Sequence, residues 1–394
     1  MRVAYIVPFL EDEAVRRRIV MLQRGGAHVD LYGFYRVPHA PAHVEGVVPH
    51  ILGRMEDGKL GRRIVSVLSQ SIARWSVDLA RADVILARNL ECLFLGATAR
   101  LRMGRRCPLV YELLDVHSAM LGDNPGSAAL RGLERRLLRQ SDAVIVSSPA
   151  FESDYLARRH ANPPDTLLIE NKVLGDVSPV SRGTLPDAPP WRIGWFGGIR
   201  CRRSLACLSE LAKQNPGLFE LHIRGRFANT DLGDLERILR ETPGLHFHGP
   251  YRYPDDLGEI YGQVHFAWAI DFYEDGGNSG WLLPNRLYES LLCGAVPIAM
   301  RGVETGRWLA RHGVGLLVDQ PFEQGVRRLL ASLTAEQYRG AQRTVDALEP
   351  SLVRCGAGEC RALVQRLEEL ARRRARTARQ TVHEAAAVNE AAGD

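Results

Sequence analysis

The residues with the clearest chemical use lie between Asn278 and Met300. This stretch contains Arg286 and, three residues later, Glu289, a spacing that puts both side chains on roughly the same helix face. Pro284 suits a first helical turn, and the free N–H groups of that turn with Arg286 would form a phosphate site. Glu289 would accept hydrogen bonds from ribose or sugar hydroxyls. An ordinary α/β helix with one ion pair explains the pattern equally well.

A second candidate phosphate site opens the second half of the chain. A predicted strand, Arg192–Phe196, runs into Gly197 and Gly198, and a predicted helix follows with Arg200 and Arg203. Glycines in such a turn let backbone N–H groups approach a diphosphate, and the arginines neutralise its charge. Because the G-x-G-x-x-G spacing is absent, the pattern favours a nucleoside diphosphate over a nicotinamide cofactor.

Polar residues also end a predicted strand in the first half of the chain. Leu109–Leu113 contains Glu112 and is followed by Asp115 and His117. A carboxylate or imidazole within hydrogen-bond reach of a hydroxyl can act as a general base. We therefore predict Asp115 and His117 as catalytic residues, with Glu112 as a further contact to the acceptor, the molecule that carries the hydroxyl. A helix cap or a surface hydrogen bond is the alternative reading of such a strand end.

An α/β framework must position these residues. Short apolar strands alternate with helices along 394 residues, which predicts parallel α/β units in two domains. Two doubly wound, Rossmann-like domains in tandem would face a cleft, with ligands at the carboxyl ends of the strands. The predicted order is an N-terminal domain (1–175), a linker (176–190), a second domain (191–350), a helix (351–376) and a disordered tail (377–394).

Composition describes a soluble globular protein, with 45% hydrophobic and 25% charged residues. Without a long apolar run or a leader before the first strand, we expect a cytoplasmic protein. The seven cysteines lack C-x-x-C spacing, and no histidine or carboxylate spacing indicates a metal, so we predict free thiols and no metal site. The net charge of +5 allows an anionic substrate or membrane surface, and we predict no nucleic-acid partner.

The stretch 59–81 combines an apolar helical stripe with basic residues on its other sides. Such a helix can lie on an anionic membrane, which predicts peripheral contact with the inner face of the cytoplasmic membrane. A helix packed on the sheet with solvated arginines explains the same stripe.

In their order along the chain, these motifs resemble the GT-B glycosyltransferases, particularly the family-four-like enzymes of bacterial exopolysaccharide assembly. The resemblance covers nearly the whole chain. The segments that carry it are Ala143-Val-Ile-Val-Ser-Ser-Pro, Ile169-Glu-Asn-Lys-Val, Ile193-Gly-Trp-Phe-Gly-Gly, Leu221-His-Ile-Arg-Gly, His246-Phe-His-Gly-Pro-Tyr and Leu283-Pro-Asn-Arg-Leu-Tyr-Glu-Ser-Leu-Leu-Cys-Gly-Ala-Val-Pro.

The resemblance also implies roles for single residues. It places Glu289 on the donor ribose and Arg286 on the diphosphate. Many relatives have a second glutamate eight residues before Glu289, but Trp281 stands there in this chain, which leaves the donor sugar and the stereochemical outcome open. Trp281 is either a sugar contact or a packed loop aromatic. The implied nucleobase contacts are His248, Gly249 and Tyr251, and the residues that would replace the missing carboxylate are Asn278, Ser279 and Gly280.

The resemblance implies a glycosyltransferase that moves a sugar from a nucleotide-sugar donor, a UDP-sugar, to a polyprenyl-diphosphate-linked glycan. It makes 1–175 the acceptor-binding domain and 191–350 the nucleotide-sugar-binding domain. In a retaining enzyme the leaving phosphate can take the proton, and Asp115 and His117 would then only orient the acceptor. The nucleotide sugar is a substrate, so we expect no cofactor. Two alternatives remain. A UDP-sugar 2-epimerase-like isomerase would share the architecture but needs cleft carboxylates and histidines that we do not find. A noncatalytic nucleotide-sugar-binding module is the other, and the missing glutamate favours it.

Overall fold

Two parallel sheets form the centre of the computed structural model, which describes residues 1–55, 79, 81–102, 107–175, 177, 185–227 and 232–391. The chain divides into two units. The first comprises Met1–Ser147, Phe151–Ile169 and Gly356–Asp394, and the second comprises Ser148–Ala150 and Glu170–Cys355. The main change of unit therefore occurs before the predicted linker. Apart from residues 79 and 81, the predicted membrane helix 59–81 lies outside the described residues.

The sheet of the first unit has the strand order β3-β2-β1-β4-β5-β6-β7. Its strands are β1 (Arg2–Val7), β2 (His28–Tyr35), β3 (His50–Arg54), β4 (Val84–Arg88), β5 (Leu109–Leu113), β6 (Ala143–Val146) and β7 (Thr166–Leu168). The helices are α1 (Glu13–Arg24), α2 (Asn89–Arg102) and α3 (Pro125–Leu138), with a 3₁₀ turn at Ser118–Met120 and a π-helical turn at Phe151–Leu156 that continues as Ala157–Arg159. Strand order reverses between β1 and β4, where open α/β sheets bind ligands.

The second unit repeats this architecture with the order β11-β10-β9-β12-β13-β14. Its strands are β9 (Trp191–Ile199), β10 (Phe219–Phe227), β11 (Leu245–Phe247), β12 (Phe266–Trp268), β13 (Val296–Met300) and β14 (Leu316–Val318), while β8 (Val173–Leu174) pairs with β15 (Arg354–Cys355). The helices are α4 (Arg202–Gln214), α5 (Leu232–Glu241), α6 (Leu257–Gly262), α7 (Asn278–Trp281), α8 (Asn285–Leu292), α9 (Glu304–His312), α10 (Phe322–Ser332) and α11 (Ala335–Asp346). Here the order reverses between β9 and β12.

The glycines after the predicted strand Arg192–Phe196 do not form a turn. Strand β9 continues through Gly197 and Gly198 to Ile199, paired in register with β10. The backbones of β9 and β10 approach closely here, because a Cβ on Gly225 would lie 1.8 Å from the carbonyl oxygen of Gly197. This close approach explains why the strand continues and why glycines occupy these positions. Gly197 itself has φ +102°, a conformation that favours glycine.

The final helix, α12 (Ala357–Ala391), returns to the first unit and is longer than predicted. Its start packs against the end of α1, where a Cβ on Gly25 would lie 2.3 Å from the carbonyl oxygen of Cys360. Farther along, Arg374 contacts Asp142 at 3.1 Å. The structure has helix as far as Ala391, where composition predicted a disordered tail from 377. The Ala and Glu residues that gave that prediction are also strong helix formers.

Candidate active site

Side-chain contacts connect the carboxyl ends of β9 and β12, where the strand order of the second sheet reverses. Nε of Arg200 donates to a carboxylate oxygen of Asp271 at 3.0 Å, and its guanidinium lies 5.0 Å from the ring centroid of Tyr273. The buried Sγ of Cys201 accepts the N–H of Phe272 at 3.3 Å. Arg200 therefore lies at this edge, as its predicted diphosphate role requires, but Asp271 already balances part of its charge.

Arg286 lies at the same edge with a different environment. It is in the first turn of α8, and its Nη1 approaches the carbonyl oxygen of Trp268, the last residue of β12, at 3.4 Å. Within the described residues no ion pair involves Arg286. Pro284 is the N-cap of this helix rather than part of its first turn.

Glu289 is buried on the inner face of α8, with 3% of its surface exposed. One of its carboxylate oxygens accepts a hydrogen bond from the hydroxyl of Tyr261 at 3.0 Å. Burial, with the Glu289 charge, raises the pKa of Tyr261 well above its ordinary value, so this hydroxyl keeps its proton. The Tyr261 ring in turn packs edge-on against Phe196 of β9, with centroids 4.8 Å apart. The contacts fix Glu289 beside the end of β9.

The extended backbone between α7 and α8 is anchored by three side chains. Ser148 donates to the carbonyl of Trp281 at 2.6 Å, and Thr305 donates to that of Leu282 at 3.0 Å. Asn171 donates to the carbonyl of Leu283 at 3.3 Å. These bonds fix the position of Trp281, whose side chain is partly buried.

The loop before α7 contains Glu274, a carboxylate that the sequence motifs did not indicate. Asn278 is buried, and its amide donates to the carboxylate of Glu274 at 2.5 Å. Ser279 Oγ accepts the backbone N–H of Glu274 at 2.9 Å. Of these two predicted sugar contacts, Asn278 therefore orients the Glu274 carboxylate, and Ser279 binds the backbone of the same residue. Gly280 is half-buried in the same short helix. The only sequence signal for this loop is its Gly276-Gly277 turn before Asn278.

The predicted nucleobase residues follow β11. His248 stacks on His222 of β10, with 3.1 Å between Nδ1 of His222 and Nε2 of His248. Burial and the nearby Arg224 lower the pKa of His248, so its imidazole is neutral at pH 7. Gly249 has φ +77°, and Tyr251 lies edge-on to Phe196 at 6.5 Å. Gly249 accepts the N–H of Gly225 at 2.9 Å, and Tyr251 Oη comes within 3.9 Å of a Cβ placed on Gly197.

Arg203 forms an ion pair with Glu323. Its guanidinium forms two hydrogen bonds with the carboxylate of Glu323, at 2.9 and 3.3 Å, and lies over the rings of Phe272 and Phe322. The bond to Glu323 raises the pKa of Arg203. The predicted diphosphate role of Arg203 would require this exposed pair to open.

The first unit has a small pocket at the carboxyl ends of β4 and β5. It has a volume of about 40 Å³, room for a few water-sized groups. Asp115 is exposed there, and Nδ1 of the half-buried His117 accepts the N–H of Ala119 at 3.1 Å. The pocket is lined by Asn89, Leu90, Glu91, Tyr111, Asp115, His117 and Met120.

Asn89 is the lining residue with the most unusual backbone. Its φ of +66° is left-handed, which is uncommon outside glycine and frequent at functional sites. Its Oδ1 is buried and accepts no hydrogen bond from any described residue. Sequence analysis missed Asn89 because no pattern in the strand-to-helix turn after β4 marks a left-handed residue.

Glu112 is not an acceptor contact, contrary to the sequence prediction. It is fully buried between Arg18 (2.6 Å) and Arg88 (2.8 Å), and the hydroxyl of Tyr5 donates to it at 2.5 Å. Burial alone would raise the pKa of Glu112, but the two arginines outweigh burial and lower it to about 2. Since Glu112 lies opposite Arg88 in register, this ion cluster joins β4 to β5 directly before the pocket residues.

A second buried network supports the pocket wall. Glu134 of α3 is fully buried and accepts the hydroxyl of Tyr155 at 2.6 Å and the weaker bond of Tyr111 at 3.4 Å. His160 Nε2 lies 3.2 Å from the same carboxylate. Burial and Glu134 raise the pKa of Tyr111 well above its ordinary value, so the phenol that lines the pocket stays protonated.

Among the described residues, no cluster of histidine, cysteine, aspartate and glutamate has the geometry of a metal site. None of the helices in that part of the chain is long and apolar enough to span a bilayer.

Residues 12–172 match the model of the glycosyl transferase 4-like domain. The succinoglycan biosynthesis protein ExoL of Rhizobium meliloti (strain 1021) is 40% identical to this chain over 378 residues, 94% of each protein. This chain belongs to the family-four-like glycosyltransferases. Membership confirms the predicted family and enzyme class, and it decides against the isomerase and the noncatalytic module.

Two solved structures share the fold of the transferase. Anabaena HepE, in complex with UDP and glucose, superposes with a TM-score of 0.62 at 16% identity, covering 96% of this chain and 100% of HepE. Sucrose-phosphate synthase from Thermosynechococcus elongatus gives 0.60 at 17% identity, covering 98% and 100%. At these identities the likeness concerns the fold, and it confirms the predicted GT-B class.

Proposed function

We propose that this transferase moves a sugar from a UDP-sugar to a lipid-linked glycan during assembly of an exopolysaccharide related to succinoglycan. The relative ExoL is named for succinoglycan biosynthesis, and HepE was solved with UDP and glucose. The observation that carries the proposal is Arg286, an arginine at the switch-point edge of the second sheet that no described carboxylate neutralises. Such a cation suits a diphosphate.

Donor binding would use the second sheet. The guanidinium of Arg286 and the N–H groups of the first turn of α8 would hold the diphosphate, with Arg200 as a second cation. Gly197 and Gly198 would let the β9 backbone approach the phosphates, since nothing lies within 4 Å of a Cβ placed on Gly198. This arrangement supplies positive charge without a metal ion, so metal independence is part of the proposal.

The remaining donor contacts follow from the same edge. Glu289, whose position Tyr261 fixes, would accept the ribose hydroxyls. The nucleobase would lie against His248, Gly249 and Tyr251. A neutral imidazole at His248 suits an uncharged base, because it can both donate and accept a hydrogen bond.

The acceptor hydroxyl would bind at the pocket of the first unit. Because Nδ1 of His117 accepts a backbone N–H, the neutral imidazole carries its proton on Nε2 and would donate to a substrate oxygen. Asp115, exposed at the same pocket, is then the group that takes the proton of the attacking hydroxyl. Oδ1 of Asn89, which no described residue bonds, would accept a hydrogen bond from a second hydroxyl of the acceptor glycan.

A lipid-linked acceptor also bears on location. A glycan on polyprenyl diphosphate is presented at a membrane surface, so the proposal includes a cytoplasmic enzyme bound peripherally to the inner face. The helix predicted at 59–81 for this contact lies outside the described residues.

The test combines UDP binding by calorimetry with sugar transfer from a panel of UDP-sugars to a lipid-linked acceptor. Arg286→Gln should weaken UDP binding about 10- to 100-fold, the range of a lost charge-assisted hydrogen bond. Arg301→Gln is the matched control, because Arg301 follows β13 and is already paired with Asp319 at 2.5 Å. Wild-type affinity in Arg286→Gln would refute the donor site, and a wild-type protein inert with every donor would refute the function.

A further inference from the structure

The loop between β12 and α7 contains Glu274, a carboxylate at the edge where the strand order of the second sheet reverses. Glu274 follows Asp271, whose carboxylate Arg200 neutralises. Among the described residues no ion pair involves Glu274, although nearby acids at the same edge are paired, Glu323 with Arg203 and Asp319 with Arg301. Glu274 is half-buried, so part of its surface remains open to solvent.

The loop fixes this carboxylate in direction. The backbone carbonyl of Glu274 accepts the N–H groups of Gly277 (3.1 Å) and Ser279 (3.3 Å). The backbone N–H of Glu274 donates to Ser279 Oγ. The amide of Asn278, 2% exposed, holds the carboxylate itself. Both ends of Glu274 are therefore bound by neutral groups, and its negative charge is oriented without being cancelled.

An oriented carboxylate without a cation has a restricted choice of ligands. It repels a diphosphate, and it accepts hydrogen bonds from hydroxyl groups. In a nucleotide sugar whose diphosphate is bound by Arg286, the hydroxyls beyond the diphosphate belong to the transferred sugar. A site that binds a hydroxyl in this way rejects a sugar that lacks it, because the carboxylate would lose its partner.

We infer that Glu274, oriented by Asn278, accepts hydroxyl groups of the donor sugar and thereby selects which sugar is transferred. The inference rests on the proposed function and assigns a residue that the motif positions do not indicate. Trp281, at the position where many relatives have glutamate, is then not the residue that selects the sugar.

The experiment separates sugar recognition from nucleotide binding. Calorimetry would give Kd for UDP and for whichever of UDP-glucose, UDP-galactose and their N-acetylamino counterparts the wild type binds most tightly. Glu274→Gln keeps an oxygen for the Asn278 amide but removes the charge. We expect UDP to bind within about twofold of wild type, while kcat/KM for the UDP-sugar falls about 10- to 100-fold.

Two further measurements keep the inference falsifiable. Asp275→Asn alters the next, exposed carboxylate of the same loop and should leave kcat/KM unchanged. With deoxy forms of the donor sugar, Glu274→Gln should lose discrimination against the analogue that lacks the bound hydroxyl. Unchanged discrimination, or an equal loss of UDP and UDP-sugar binding, would overturn the role of Glu274 alone. Failure of the wild type to bind any UDP-sugar would instead overturn the proposed function and this inference with it.

Discussion

The carboxyl edges of the two parallel sheets share a topology but differ in how they place charge. At the first sheet, Arg18 and Arg88 are buried beneath the edge and bound by Glu112, and the exposed group at the pocket is Asp115. At the second sheet, Arg286 lies at the edge itself, without an ion pair among the described residues. One edge therefore presents a carboxylate and the other a guanidinium cation. The difference shows that ion pairing decides which charges each edge presents.

The largest expected effect tests whether the first edge performs chemistry. Asp115→Asn should lower kcat by about 10²–10⁴-fold, the contribution of a general base, while the Kd for UDP stays at the wild-type value. Single-turnover transfer kinetics and calorimetry would measure the two quantities. Asp123→Asn, an exposed carboxylate outside the pocket lining, is the control. If Asp115→Asn keeps kcat within a few-fold, the proton leaves by another route.

The next effect concerns the stability of the first edge. Glu112→Gln leaves two buried arginines without a counter-charge and should lower the free energy of unfolding by about 3–5 kcal/mol at pH 7. Urea unfolding followed by circular dichroism would measure this. Asp154→Asn, which breaks the more exposed pair with Arg158, should cost about 0.5 kcal/mol or less.

The difference in the free energy of unfolding between wild type and Glu112→Gln should depend on pH. The pKa of Glu112 is about 2 in the folded protein and 4.5 in its ordinary state. Its ionised form therefore stabilises the fold fully above about pH 4.5, and this contribution is lost as the pH falls through 4.5 toward 2. The stability difference between wild type and Glu112→Gln should shrink over that window. A difference independent of pH would mean that packing, rather than charge, is responsible.

The smallest effect tests the second edge. Arg203→Gln should change the Kd for UDP by about threefold or less, because an exposed arginine already bonded to Glu323 contributes little. Calorimetry beside Arg286→Gln makes the comparison direct. An equal loss in both variants would show that the Arg203–Glu323 pair opens for the diphosphate.

Sequence patterns predicted the bounds of several strands well, but they did not predict contacts between residues far apart in the chain. Strand β5 lies at Leu109–Leu113 as predicted, and β13 lies at Val296–Met300, because continuous apolar runs mark central parallel strands. Strand β9 was predicted to end at Phe196 because a Gly-Gly pair normally signals a turn. It continues because Gly225 on β10 allows the two backbones to approach. Such a cross-strand condition is not visible in either segment alone.

The candidate site shows the same limit. Arg286 and Glu289 could be identified because a short helix motif contains both. Glu274 could not, since its importance depends on a buried amide four residues later and on its lack of an ion pair with any described arginine. Asn89 escaped notice because only its backbone conformation and its unsatisfied oxygen mark it.

By itself, the sequence determined the alternation of strands and helices, the two doubly wound sheets and, through the order of its motifs, the glycosyltransferase family. These features depend on local periodicity and on residues close together in the chain. Only the tertiary structure decided which charges remain available to a ligand. Glu112 is bound by Arg18 and Arg88, and Arg203 by Glu323, across 94, 24 and 120 residues of sequence. Ion pairs at such separations form only when the fold brings the partners together, so the charge at each edge is a property of the folded chain.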